Sequence, residues 1–229
     1  MVVSVVFTAN CCQRWRPEGG LLTTILKEPE LIPLFPLRSV LFPGGRLPLQ
    51  VFEQRYIDLV SHCMKTDTGF GICLISQGAE TVRPGARQQV ERIGMYARIV
   101  DWDQLPNGLL GITVEGRHKF SVQDCWARDD KLLMATAQFS QQDFLGQPAL
   151  PLTGQHQALV DLLRDLSAHP LIESLNLEID FDDSRQLAWR LSELLPVPVQ
   201  QKQQLLALDD TDERLQVIEN LVASVMHQG

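Results

Sequence analysis

The stretch IPLFPLRSVLFPGGRLPLQVFEQRY, residues 32–56, decides the fold, because proline limits where the chain can bend and apolar residues mark the side it buries. Prolines at positions 33, 36, 43 and 48 bias the residues before them away from helix. The apolar residues between the prolines suit strands that pack on a core. We therefore predict two extended segments joined by a turn at residues 43–45, followed by a helix that begins at Glu53. The pattern describes a scaffold and contains no catalytic group.

Composition and apolar run lengths set the class of protein. The chain has 229 residues, of which 45% are hydrophobic and 21% charged, as is ordinary for a folded globular protein. No apolar run approaches the roughly 20 residues of a membrane helix, so we predict no membrane span. Residues 1–7 lack the basic start, long apolar stretch and cleavage site of a signal peptide, which predicts a cytoplasmic protein.

Cysteines and the first residues carry little pattern. Residues 1–29 show neither helical nor strand periodicity, and two interpretations stay open, an irregular extension or a start codon assigned too early. The chain has 5 cysteines, an odd number. Cys63 and Cys73 lie in apolar contexts, where free thiols act as small hydrophobic side chains, so no disulfide framework is predicted.

Charge is distributed unevenly along the chain. Residues 30–140 hold 12 Lys/Arg against 12 Asp/Glu, whereas residues 141–229 hold 5 against 14. Non-specific affinity for nucleic acid comes mostly from neutralisation of phosphates by lysine and arginine. The acidic second half therefore argues against a nucleic-acid partner.

Residues 30–143 have the pattern of a β-rich subdomain with one inserted helix. The helix is indicated by Tyr56, Leu59, Val60 and Cys63, which recur at the spacing of one buried stripe. Extended patterns and glycine turns follow. The predicted turns lie at residues 106–108 and 115–116, and a polar loop is predicted at residues 82–89. About seven short strands of this kind favour a curled, mostly antiparallel sheet or a small barrel.

Residues 150–229 have helical periodicity, and Gly146-Gln147-Pro148 marks the boundary. We predict a bundle of four helices whose starts are marked, in order, by Thr153, Ser184, Pro198 and the sequence Asp210-Thr211-Asp212-Glu213. The first of them ends before Pro170. The sequence therefore predicts an α+β protein with the helices placed after the sheet.

Several motifs of the chain are shared, in order, with one known family. They are Pro33-Leu34, Pro36-Leu37-Arg38, Leu41-Phe42-Pro43-Gly44, Leu47-Pro48-Leu49, Phe52-Glu53-x-Arg55-Tyr56, Phe70-Gly71-Ile72, Leu194-Leu195-Pro196, Lys202-Gln203-x-Leu205-Leu206 and Arg214-Leu215, where x is any residue. In these motifs the chain resembles the amino-terminal, substrate-binding domain of the ATP-dependent protease Lon, from about residue 30 to residue 225. The resemblance implies a PUA-like pseudo-barrel followed by helices.

The same resemblance implies a non-catalytic module that binds unfolded or extended polypeptides, with a protease or a chaperone as a further partner. Two alternatives stay open. The chain could be the targeting subunit of a separately encoded ATP-dependent protease, or, because such sheets resemble those of some RNA-binding domains, an RNA binder. The acidic balance argues against the second alternative.

Catalytic and ligand-binding motifs are not found in the sequence. Gly111 to His118 approaches a phosphate-binding loop but lacks its lysine and hydroxyl, and no serine lies in a nucleophile elbow. Histidine and cysteine spacings fit no metal site, and the cluster Asp180, Asp182 and Asp183 lacks the spacing of a calcium loop. We therefore predict no ATPase or protease activity, no cofactor and no metal.

Five residues are candidate peptide contacts, namely Glu53, Arg55, Tyr56, Arg117 and Trp189. Two interpretations of the first three stay open. They could form a polar rim beside an apolar groove, or Glu53 could start the helix, Arg55 form an ion pair and Tyr56 pack in the core. Trp189 has the same two interpretations, and packing between the subdomains is favoured over stacking on a ligand.

Overall fold

The computed structural model describes residues 29–78 and 88–226. Within them, six strands and six helices follow in the order β1 (Glu30–Leu37), β2 (Arg46–Val51), α1 (Gln54–Thr66), β3 (Phe70–Gln77), β4 (Gln89–Gln104), β5 (Leu110–Ala127), β6 (Leu133–Phe144), α2 (Gln157–Ser167), α3 (Pro170–Glu173), α4 (Ser184–Leu194), α5 (Val199–Ala207) and α6 (Thr211–Met226). The α+β class is confirmed. The predicted extension, up to residue 28, and most of the predicted loop at 82–89 lie outside the described residues.

The strands form one curled sheet in the order β2-β5-β4-β3-β1-β6, and β6 also pairs with β5. This second pairing closes β5, β4, β3, β1 and β6 into a ring. β2 lies outside this ring and pairs with residues 110–115 of β5 as an additional strand. All pairs are antiparallel except β1 with β3, which α1 separates in the chain. The predicted pseudo-barrel with one inserted helix is therefore confirmed.

The described strands are fewer and longer than the sequence predicted. Six are present rather than about seven, and β4 and β5 have 16 and 18 residues. The turn predicted at residues 115–116 is wrong, because β5 continues through it. Instead a β-bulge lies there, since Tyr96 pairs with His118 while the next residue, Ala97, pairs with Gly116.

Gly116 is needed for a close approach of two backbones. Its N–H donates to Gly45 O at 3.0 Å, and its carbonyl accepts from Gly44 N–H at 2.8 Å. A Cβ atom at this position would lie 2.2 Å from the carbonyl oxygen of Phe42. The 43–45 turn therefore lies directly on the bulge of β5, and Gly44 meets it with a positive φ of 69°.

The helices that follow the sheet surround α4. All four predicted helices are present, and the single turn α3 is an addition that the sequence did not predict. The predicted cap Ser184 is wrong by one residue. Asp183 caps α4, because its carboxylate accepts from Arg185 N–H at 3.0 Å. The predicted cap of the last helix is confirmed, since Asp210 Oδ1 accepts from Glu213 N–H at 2.8 Å.

Two clusters of buried apolar side chains hold the fold together. The smaller fills the interior of the ring, around Leu34 and Phe120. The larger is continuous from the sheet and α1 to the helices, and includes Phe35, Leu163 and Leu187. All four residues of the stripe predicted on α1 are buried in it. The division into subdomains at 30–143 and 150–229 stays a prediction, because the larger core crosses it.

Candidate functional site

The start of α1 holds three of the predicted contact residues in a tight arrangement. Arg55 donates to the carbonyl of Lys131 at 2.6 Å and pairs with Glu53 at 2.8 Å. Its guanidinium also lies over the ring of Tyr56, 4.4 Å from the centroid. That ring stacks on Phe35 with centroids 4.0 Å apart. Arg55 and Tyr56 are buried, so these contacts fasten α1 to the sheet and to the loop after β5.

Arg117, the fourth predicted residue, lies on the bulge of β5. Its guanidinium pairs with Glu115 at 2.8 Å, and the side chain is 38% exposed. The same carboxylate pairs with Arg46 of β2 at 3.1 Å. Glu115 is buried between the two arginines, so the ion-pair partner of Arg117 is held in place. Among the five predicted residues, Arg117 is the charged one whose side chain lies nearest to solvent.

Trp189, the fifth predicted residue, is buried on α4. Its Nε1–H donates to Asp143 Oδ1 at 3.1 Å, across the boundary between sheet and helices. The five predicted residues thus lie in three separate places, namely the start of α1, the bulge of β5 and the interior beside α4. Their contact with a peptide stays a prediction.

Asp143 is the centre of a buried ionic cluster that the sequence analysis missed. Its carboxylate accepts from Lys119 Nζ at 2.7 Å and from Arg214 Nη2 at 2.5 Å, in addition to Trp189. All four side chains are at most 3% exposed. They come from β5, β6, α4 and α6, so the cluster joins the ring to the helices. Only tertiary structure brings these residues together, and no local pattern predicts them.

A second ionic contact fixes the 43–45 turn on α4. Arg190 donates to the carbonyl of Pro43 and pairs with Glu193 at 3.0 Å. Burial raises the pKa of Glu193, while the nearby Arg190 and Lys202 act in the opposite direction. The turn quoted from the sequence is therefore held from one side by Gly116 and from the other by α4.

A partly exposed apolar surface lies on the outer face of the ring, and we name it the outer patch. It consists of Leu31, Pro33, Trp126 and Met134. Met134 pairs directly with both Pro33 and Trp126, so these three share one face across β1, β6 and β5. Leu31, two residues before Pro33, lies on the same face. Leu31 is 62% exposed and Trp126 is 40% exposed, whereas Pro33 and Met134 are half-buried.

The outer patch has the composition of a binding site. Contiguous exposed apolar side chains usually mark interaction sites, and tryptophan is enriched where binding energy concentrates. The sequence analysis missed it, because strand register alone brings these residues together. Among the described residues, no group of three His, Cys, Asp or Glu side chains could hold a metal ion. No helix in the described ranges is long and apolar enough to cross a membrane.

Comparison with known proteins identifies the family that the chain matches. Residues 31–224 match the family of the ATP-dependent protease La (LON) substrate-binding domain. The chain is 26% identical over 190 residues to Lon protease 2 of Herpetosiphon aurantiacus, covering 80% of this chain and 22% of that protein. It is 28% identical over 216 residues to the Lon protease of Anaeromyxobacter dehalogenans, covering 90% and 25%. The chain thus spans about a quarter of the length of these relatives.

Two solved structures have the same fold. A Lon N-terminal domain protein from Xanthomonas campestris aligns with a TM-score of 0.65 and 32% identity, covering 85% of this chain and 98% of that one. The N-terminal domain of a Mycobacterium avium complex Lon protease aligns with a TM-score of 0.55 and 17% identity, covering 83% and 97%.

Proposed function

Since the chain belongs to the family of the substrate-binding domain of the ATP-dependent protease Lon, we propose that it is a non-catalytic module that binds unfolded or extended polypeptides. The observation that carries the proposal is the outer patch, which presents Trp126 and Leu31 to solvent. An unfolded polypeptide exposes the apolar side chains that such a patch would cover, whereas a folded protein buries most of them. The proposal places this binding in the cytoplasm, where the free thiols of Cys63 and Cys73 stay reduced.

Binding of a permanently unfolded protein tests the proposal. The probe is fluorescein-labelled α-lactalbumin that has been reduced and carboxymethylated, and native α-lactalbumin is the folded control. We expect the chain to raise the fluorescence anisotropy of the unfolded probe and to leave that of the folded protein unchanged. No binding of the unfolded probe at concentrations up to about 100 μM, which corresponds to roughly −5.5 kcal/mol, would reject the function.

A matched pair of tryptophan variants tests the site. Trp126→Ala removes the largest side chain of the outer patch and should weaken binding about 10-fold, as truncation of a central aromatic contact commonly costs more than 1 kcal/mol. Trp102→Ala is the control, because Trp102 is 58% exposed but lies on β4, away from the patch. Equal affinities of the two variants would exclude the outer patch as the site.

In this proposal the chain itself hydrolyses neither ATP nor protein, because the family match covers a substrate-binding domain. We expect the purified chain to leave ATP and casein intact over hours. Release of phosphate or of acid-soluble peptide, in a preparation whose activity co-purifies with the chain, would contradict the assignment.

A targeting role is the second candidate, and the relatives favour it. In the proteins named Lon protease, the matched segment is part of a much longer chain. The module would then deliver bound polypeptide to a protease that a separate gene encodes. Adding the chain to a purified Lon protease should accelerate degradation of the unfolded probe, and Trp126→Ala should lose the acceleration. An unchanged rate of degradation would reject the targeting role and leave the binding function standing.

A further inference from the structure

β2 is the strand whose outer edge lies outside the ring. It pairs with β5 over Arg46–Val51, and in the described residues no strand flanks its other side. Hydrogen bonding alternates along an antiparallel pair. Gly116 N–H donates to Gly45 O, so the next residues directed at β5 are Leu47 and Leu49. The backbone groups of Arg46, Pro48 and Gln50 therefore point away from β5.

Proline supports this assignment independently. Pro48 has no N–H, and in sheets proline takes edge positions whose N–H side faces away from the partner strand. The outward edge thus offers the N–H groups of Arg46 and Gln50 and the carbonyls of all three residues. The described parts of the chain provide no hydrogen-bond partner for these outward groups, and all three residues are only half-buried.

The end of β4 is a second edge without a neighbouring strand in the described residues, but the N–H groups on that edge are already hydrogen-bonded. Its residues beyond Ala97 pair with β5 and not with β3. There the N–H of Trp102 donates to Asp101 Oδ1 at 2.9 Å, and the N–H of Gln104 donates to Asp103 Oδ1 at 2.7 Å. Carboxylates that occupy the outward donors and add charge disfavour pairing with another strand. β2, β5 and β4 form a three-stranded extension of the ring, and its two edges therefore differ. Within the described residues, the outward donors are occupied on β4 and unoccupied on β2.

We propose that the outer edge of β2 binds an extended polypeptide segment as an added strand. The inference takes the class of ligand from the proposed function and adds a second site with its own chemistry. A strand placed there would receive hydrogen bonds from Arg46 and Gln50 and donate to the three outward carbonyls. Its side chains beside Leu47 face the larger core, and those beside Gln50 face solvent, so an alternation of apolar and polar residues fits best.

The position of Pro48 favours a foreign segment over a second copy of this chain. If two β2 edges paired antiparallel about their centre, Pro48 would face Pro48, and neither residue could donate. A segment with an ordinary residue at that place donates to the Pro48 carbonyl. Self-pairing therefore leaves the centre of the edge without a hydrogen bond.

Gln50→Pro is the decisive variant. It removes an outward N–H that β5 does not use, and it repeats the situation of Pro48, so the sheet should persist. The probe is a fluorescein-labelled peptide in which valine alternates with threonine between flanking lysines. We expect Gln50→Pro to weaken binding at least about 10-fold, because it removes one donor and crowds the edge. Gln50→Ala keeps the N–H and should stay within about twofold of the unaltered chain.

Amide hydrogen exchange of the unaltered chain gives a readout that does not depend on any variant. Saturating peptide should slow exchange at Gln50 and Arg46 and leave Trp102 and Gln104 unchanged. Unchanged exchange at Gln50, or equal peptide affinity of Gln50→Pro and Gln50→Ala, would overturn the inference.

The outcomes separate the inference from the proposed function. If unfolded α-lactalbumin binds through Trp126 but the peptide does not bind at β2, only the inference about the edge of β2 fails. If neither probe binds the unaltered chain, the proposed function fails as well. Sedimentation that shows a dimer lost in Gln50→Pro would identify a second copy as the occupant and overturn the inference.

Discussion

Replacement of Asp143 by alanine should be among the most damaging single substitutions in the chain. Asp143 is 1% exposed, and its carboxylate pairs with two cations that are also buried, Lys119 and Arg214. Asp143→Ala removes the anion and leaves both cations in the interior. Lys119 keeps a pair with the exposed Asp209 at 2.6 Å, and both cations keep the carbonyl of Leu208. These remaining contacts reduce the loss without replacing the buried carboxylate.

The size of the effect follows from removing one partner of a buried ion pair, which costs about 3–5 kcal/mol. For a protein of this length, each kcal/mol lowers Tm by about 2–4 °C, so we expect a fall of roughly 6–20 °C. The free energy of unfolding would be measured by urea denaturation followed by far-ultraviolet circular dichroism, with thermal melting as a second measurement.

Asp161→Ala is the matched control. Asp161 also pairs with an arginine, Arg164, at 3.2 Å, but both side chains are more than half exposed. Exposed pairs contribute about 0–1 kcal/mol, so this variant should unfold nearly as the unaltered chain does. If Asp143→Ala loses less than about 1 kcal/mol, or no more than Asp161→Ala, the cluster does not hold the sheet to the helices as described.

Three further predictions follow. Gly116→Ala should lower the free energy of unfolding by about 3 kcal/mol or prevent folding, because its Cβ would overlap a carbonyl oxygen; Gly154→Ala, with open space around it, should be neutral in the same urea titration. The raised pKa of Glu193 means that the folded chain holds this proton more tightly than the unfolded chain does. The unfolding free energy of the unaltered chain relative to Glu193→Gln should therefore fall as pH rises above about 4.5, and a rise would contradict this. Burial raises the pKa of both Cys73 and Cys125, but Cys73 is only 1% exposed whereas Cys125 is half-buried. N-ethylmaleimide at neutral pH should therefore label Cys125 at least about 10 times faster than Cys73, as read by peptide mass spectrometry; equal rates would contradict the buried position of Cys73.

Local patterns in the sequence predicted the local structure well. The stripe on α1, the cap at Asp210 and the order of sheet before helices depend on neighbouring residues, and the structure confirms them. The turn predicted at residues 115–116 failed for a non-local reason. A glycine that permits the carbonyl of Phe42 to approach resembles, in sequence, a glycine that permits a turn.

The candidate site was harder to predict from sequence than the fold. The outer patch depends on register, since Met134 lies between Pro33 and Trp126 only after three distant strands have paired. The open edge of β2 depends on strand order, which no short pattern specifies. Conversely, the ion pair of Arg55 and the packing of Tyr56 follow one of the two interpretations given from sequence. This ion pair and the burial of Tyr56 follow from residues nearby in the sequence. An exposed surface depends instead on which distant segments leave it uncovered.

Closure of the ring has a consequence for how the chain is made on the ribosome. β1 leaves the ribosome before β6, so Glu30 meets its partner Ala137 only after β6 has left the exit tunnel. Until then β1 lacks one neighbour and the interior around Phe120 lacks one wall. Pairings between residues so far apart in sequence form slowly, and unpaired apolar strands aggregate. Nascent chains that stall before β6 should therefore be the form of this protein that most needs protection by chaperones.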